Sequence, residues 1–124
     1  MRRSRPGWRT FPDFRERVLT RFQTRMYAFL NIASMGMVST TLEQNVADMD
    51  GERTAAVMKE HSDLVVGSKT AHFLSPDWVS TDRALAAGQA TDMPAMIDFG
   101  LFLASPIHHE SRLDAKDLQI HSVE

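Results

Sequence analysis

The stretch DLVVGSKTAHF, residues 63–73, decides how the rest of the chain is read. Leu64, Val65 and Val66 form the short, continuous apolar run of a strand covered on both faces. The run passes through Gly67 and Ser68 straight into Lys69. A lysine closing a buried strand is costly, because an ammonium taken out of water needs a partner or must give up its charge. We read DLVVGSK (63–69) as a strand ending in Lys69, and TAHFLSPDWVS (70–80) as the loop that follows.

The same alternation runs outward in both directions. RMYAFLNI (25–32) is a second apolar strand and ends near Asn31. MPAMIDF (93–99) is a third, ending near Asp98, with Pro94 close enough to its start to be tolerated. LQIHS (118–122) reads as a fourth, ending near His121. Helical patterns lie between the strands. Residues 11–24 place Phe11, Phe14, Val18, Leu19 and Phe22 at helical spacing, with Thr10 as cap and Pro12 in the first turn. Asp50 caps a helix over 51–61, whose Ala55, Val57 and Met58 are apolar. A third helix covers 80–90, with Ser80 or Thr81 as cap and Leu85 facing inward. Residues 42–50 hold a short helical turn, and a further short helix is expected around 111–117.

Strands alternating with helices imply α/β architecture, with parallel strands joined by right-handed crossovers. Two arrangements satisfy that order: an open doubly wound sheet, or a partial (β/α)8 TIM-type barrel of about three to four parallel strands. A closed barrel needs roughly 250 residues, and this chain has 124.

Composition narrows the class. Apolar residues make up 43%, enough for a packed core, and the net charge of −2 is not that of a nucleic-acid-binding protein. Charge is uneven: residues 1–25 carry eight Arg against Asp13 and Glu16, a net +6. That arginine-rich start could meet phosphate or an anionic surface, and is otherwise a solvated terminus. No secretory signal pattern or membrane-length apolar run is present, so a cytoplasmic location is the default expectation. The absence of cysteine rules out disulfide and thiol chemistry, and the eight Met suit core gaps.

In both arrangements reactive groups gather at the carboxyl ends of the strands. Asn31, Lys69 with His72 just beyond it, Asp98 and His121 would therefore share one rim. Each has a structural alternative. Asn31 can bond its own turn, Lys69 can pair with Asp98, Asp98 can cap a turn, and His72 can be an ordinary surface histidine. A Lys69–Asp98 ion pair in a dry site would favour the structural reading. His108, His109 and Glu110 resemble a metal cluster, but adjacent loop residues rarely point at one ion. No H-E-x-x-H, G-x-G-x-x-G, Walker A or G-x-S-x-G motif occurs.

Taken together, GWRTFPDFRERVLTRFQTRMYAFLNIASMGMVS, EQNVADMDGERTA, DLVVGSKTAHF and MPAMIDFG resemble, in that order, the middle of an amidohydrolase-superfamily enzyme of the dihydroorotase-like, deacetylase branch. The similarity runs from about Gly7 to Gly100. It implies a metal-dependent (β/α)8 barrel in which the lysine ending a mid-barrel strand becomes a carbamate that bridges divalent cations. Lys69 matches that lysine. A lysine among apolar neighbours is more often a neutral amine, the form that carbamylation requires. The resemblance further implies a divalent metal, zinc or else manganese, in one or two ions, with Asp98 substituting as a ligand and His121 as a further accessory one; Asn31 and His72, on the same rim of strand ends, are then the expected substrate-binding residues. The His-x-His pair of the family's first strand and the aspartate of its last strand have no counterpart, and Asp98 stands where a histidine is common. On this reading residues 1–10 are a basic disordered terminus, 11–100 a partial amidohydrolase barrel and 101–124 a divergent tail with a short helix and strand.

Two functions follow. The first is a central fragment of a hydrolase that cleaves an amide, cyclic amide or N-acetyl bond of a small molecule with metal-activated water, the fragment itself being inactive and prone to self-association through open strand edges. The second is a non-catalytic α/β domain that acts by binding or oligomerisation.

Overall fold

The computed structural model describes residues 6–98 together with the backbone of the strand at 118–121. In chain order the elements are α1 (Phe11–Arg17), β1 (Ala28–Asn31), α2 (Gly51–Glu60), β2 (Val65–Ala71), α3 (Val79–Thr91), β3 (Ala95–Asp98) and β4 (Leu118–His121). The four strands form one sheet in the order β1-β2-β3-β4, and every pair is parallel. The expected helix at 111–117 and the His108–His109–Glu110 cluster lie outside the described residues.

Strand order decides between the two arrangements. A doubly wound sheet reverses its order at a switch point and puts helices on both faces. Here the order runs without reversal, and α2 and α3 lie together on one face. Ala55 and Met58 of α2 and Ala87 of α3 share a core cluster with Leu30 and Val65 of the sheet. Trp8, Phe11 and Leu19 complete that cluster from the N-terminal side. This is an α/β sheet of the kind found in a (β/α)8 barrel, and it is not closed among the described residues.

The helices are set by local chemistry. Asp50 caps α2, its side chain accepting the Arg53 amide at 2.9 Å. The first helix is shorter than its apolar spacing suggests. It ends at Arg17, a single 3-10 turn follows at Leu19–Arg21, and Phe22 is left exposed beyond it. The third helix begins at Val79 with Trp78 at the cap position, not Ser80 or Thr81. The Val79 amide is met by Asp77 Oδ1 at 3.0 Å. The inward face of α3 is made of Ser80, Thr81, Ala84, Ala87 and Gly88, whereas Leu85 is only half-buried. Small residues are needed there because the helix lies very close to the sheet: Ser68 Oγ donates to the Ala84 carbonyl at 2.6 Å. The Met93 amide donates to the Gly88 carbonyl at 2.9 Å as the chain turns into β3.

Residues before α1 run along the free edge of β1. Gly7 bridges Asn31 in parallel, the Asn31 amide donates to the Pro6 carbonyl at 3.0 Å, and the Arg9 amide donates to the Ser34 carbonyl at 3.0 Å. A Cβ on Gly7 would sit 1.9 Å from the Ala33 carbonyl oxygen, so only glycine allows this approach.

Gly88 provides a test of the helix–sheet spacing. Alanine in mid-helix ordinarily gains about 1 kcal/mol over glycine. A Cβ at Gly88, however, would meet the Met93 carbonyl oxygen at 2.7 Å, a backbone atom that cannot step aside. Overpacking of this kind costs about 1–3 kcal/mol. Gly88→Ala is expected to lower the urea midpoint. A raised midpoint would show that α3 does not approach this closely.

Candidate functional site

Side chains alternate along a strand, so the face of the sheet away from the helices is fixed by Ser68. Ser68 reaches α3, and Lys69 therefore points to the opposite side. Register places Asn31 beside Lys69, and Ala71 beside Asp98, which in turn pairs with His121. Asn31, Asp98 and His121 are the last residues of their strands. Lys69 is not. Thr70 and Ala71 continue β2 and pair with Ile97 and Asp98, so the lysine sits one pleat inside the rim. The partner strand supplies the hydrogen bonds that extend β2, and nothing in the local pattern of TAHF announces them.

Lys69 is sealed from solvent, with a side chain 1% exposed. Its Nζ lies 3.7 Å from Asp98 Oδ2, and Asp98 is itself nearly buried. That distance allows an electrostatic pair but is too long for a hydrogen bond. Among the described residues Nζ has no hydrogen-bond partner. An unsatisfied buried donor costs about 1–3 kcal/mol, and a charged one more. A burial this expensive, in a position set by both neighbouring strands, is the main polar anomaly among the described residues.

Beside the pair lies a second cluster. Asn31 Oδ1 accepts the Ala33 amide at 2.9 Å, so it does bond its own turn, while Nδ2 reaches Glu43 Oε1 at 3.4 Å. Glu43 Oε2 is 3.0 Å from Nδ1 of His72. Glu43 is 2% exposed. Burial pushes its carboxyl above the ordinary 4.5, opposed by His72 and Asn31 and assisted by the negative charge of Asp98. Glu43 is a residue that reading the sequence missed. It lies in a 3-10 turn, Leu42–Gln44, with no apolar periodicity to mark it as buried.

The rim thus brings Asn31, Lys69, His72 and Asp98 together, with Glu43 added. Backbone register puts His121 beside Asp98, and its side chain lies outside the described residues. Among the described residues no group of three or more His, Cys, Asp or Glu is placed to hold a metal ion. Lys69 and Asp98 could supply two donors, provided the lysine carried an anionic group. Among the same residues no helix is long and apolar enough to cross a membrane.

The Glu43 carboxyl makes a pH prediction. Its folded value is raised, so the unfolded chain loses this proton first as pH climbs. Its contribution to stability is fully present below 4.5 and is lost as pH rises through the folded value. Glu43→Gln, which cannot ionise, is expected to gain stability relative to the parent from about pH 4.5 upward and to level off thereafter. Urea unfolding across that range, without added metal, measures it. An advantage that shrinks with rising pH would contradict the burial of a charged carboxylate.

Two solved structures share the fold. One is a dihydroorotase, 24% identical, with a TM-score of 0.69 over 77% of this chain and 28% of that one. The other is an adenine deaminase, 17% identical, with a TM-score of 0.67 over 76% of this chain and 27% of that one. No family model matches the sequence, and no curated protein does. At these identities the likeness establishes the fold, and the chain spans just over a quarter of the length of each of these proteins.

Proposed function

We propose that this chain is a four-strand sector of a metal-dependent amidohydrolase, with Lys69 as the residue whose carbamate holds a divalent metal. The observation that carries the reading is the Lys69 amine: fully buried, beside a carboxylate and, among the described residues, without a hydrogen bond. A permanent ammonium makes poor sense of that position. A neutral amine there can attack carbon dioxide, forming an N–C bond and giving up a proton that the neighbouring Asp98 carboxylate, 3.7 Å away, can accept. The product is an anion with two oxygens in place of an unsatisfied donor.

The likeness to a dihydroorotase and an adenine deaminase supports the same reading, since both are members of the amidohydrolase superfamily. Asp98 would be a second ligand, and His121, paired with it in register, a third. Zinc is the first choice of metal, because carboxylate and imidazole both suit it, and manganese is the alternative. The chemistry a divalent cation supplies when bound is activation of water and polarisation of a carbonyl oxygen. Asn31 and His72 would orient the substrate, an amide, cyclic amide or N-acetyl compound. The complete reaction would need groups beyond those described, so the sector alone is expected to be inactive. Open strand edges would favour its self-association.

One observation favours a second reading. The 3.7 Å approach of Lys69 to Asp98 in a site closed to water is what a structural ion pair would give in a non-catalytic α/β domain.

Metal binding separates the two. Losing even an outer partner of a ligand typically weakens binding about 10–100-fold. In the presence of bicarbonate, Lys69→Ala is expected to weaken zinc binding by at least about tenfold, with circular dichroism confirming the fold. Equal zinc stoichiometry and affinity in the parent and the variant would remove Lys69 as a ligand and leave the structural reading.

A further inference from the structure

His72 has two features that a plain loop residue lacks. Its backbone is in the left-handed region, with φ of 57°. A residue with a Cβ pays for that conformation and glycine does not. It is also held from two sides by two consecutive residues. Glu43 Oε2 lies 3.0 Å from Nδ1 of the ring. Gln44 Nε2 donates to the His72 carbonyl at 2.6 Å, and Gln44 Oε1 accepts the Leu74 amide at 2.9 Å. The Gln44 amide thus clamps the strained turn while Glu43 grips the ring. Glu43 is in turn anchored by Asn31 at 3.4 Å. The ring is not sealed away: the His72 side chain is 26% exposed. Strain held in place by surrounding contacts points from geometry toward a use for the side chain.

We infer that Glu43 and Gln44 are positioning residues for His72, fixing its ring so that Nε2 is presented as a hydrogen-bond acceptor. A carboxylate can only accept, so Nδ1 must carry the proton. A neutral imidazole has a single N–H, which leaves the lone pair on Nε2. Unconstrained histidine favours the opposite tautomer, with the proton on Nε2. The ligand class that fits an acceptor here is one bearing an N–H, such as a secondary or cyclic amide; a fully N-substituted amide offers no such donor. This choice of ligand rests on the amidohydrolase reading, whereas the fixing of the ring does not.

The test is nitrogen NMR of the histidine rings in the full chain at a pH of about 9, above the ordinary imidazole range. The parent protein is expected to show His72 with the proton on Nδ1. Glu43→Ala reverts to a proton on Nε2. Gln44→Ala is expected to speed amide exchange at Leu74 severalfold. A proton on Nε2 in the parent overturns the inference without any variant, and so does an unchanged tautomer in folded Glu43→Ala. A purely structural Glu43 would move the melting temperature and leave the tautomer alone. Zinc binding that ignores Lys69, together with an Nδ1 proton on His72, would remove the hydrolase reading and keep this one. Lys69-dependent zinc binding with an Nε2 proton would do the reverse.

Discussion

A single amine sets the terms for this fold. The Lys69 Nζ is carried into the sheet interior by a strand held between two parallel neighbours, and there it finds a carboxylate at 3.7 Å and, among the described residues, no hydrogen bond. Its position is the product of packing on the other face. Ser68 is tied to α3, α3 sits close because its inner face is alanine, serine, threonine and glycine, and the pleat then directs Lys69 away from the helices. The sheet cannot turn Lys69 outward without turning Ser68 and Thr70 inward as well.

The second half of the rim is built differently. His72, Glu43 and Gln44 come from turns, not from strands, and are fixed by side-chain hydrogen bonds and not by a ladder. Asn31 joins the two halves: its backbone lies beside Lys69 and its side chain meets Glu43. A rigid strand-borne pair next to a turn-borne histidine is an arrangement in which one part can stay fixed while the other meets a ligand. It also places two carboxylates, Glu43 and Asp98, near enough for the charge of one to raise the other.

Much of this was legible before any coordinates. The apolar runs at 25–32, 63–69, 93–99 and 118–122 each contain a strand, and Asn31, Asp98 and His121 close theirs. Apolar continuity and punctuation by glycine, proline and polar residues are local signals, so they survive into the fold. What failed was tertiary. Lys69 stops short of the end of β2 because β3 extends the ladder to Ala71. Leu85 gave way to Ala84 and Ala87 because a close helix–sheet contact selects for smallness over apolarity. Glu43 was invisible, since a glutamate in a polar turn is normally solvated and only the chain folding over it makes it buried. The choice between barrel and doubly wound sheet also needed strand order, which no local pattern contains.

The central claim concerns the chemical state of one nitrogen, and carbon NMR under labelled bicarbonate examines it most directly. With zinc present, the account predicts a carbamate carbon resonance that disappears in Lys69→Met and persists when other lysines are replaced. An unlabelled Lys69 under saturating bicarbonate and zinc, its side chain still an ordinary amine or ammonium beside Asp98, would contradict it.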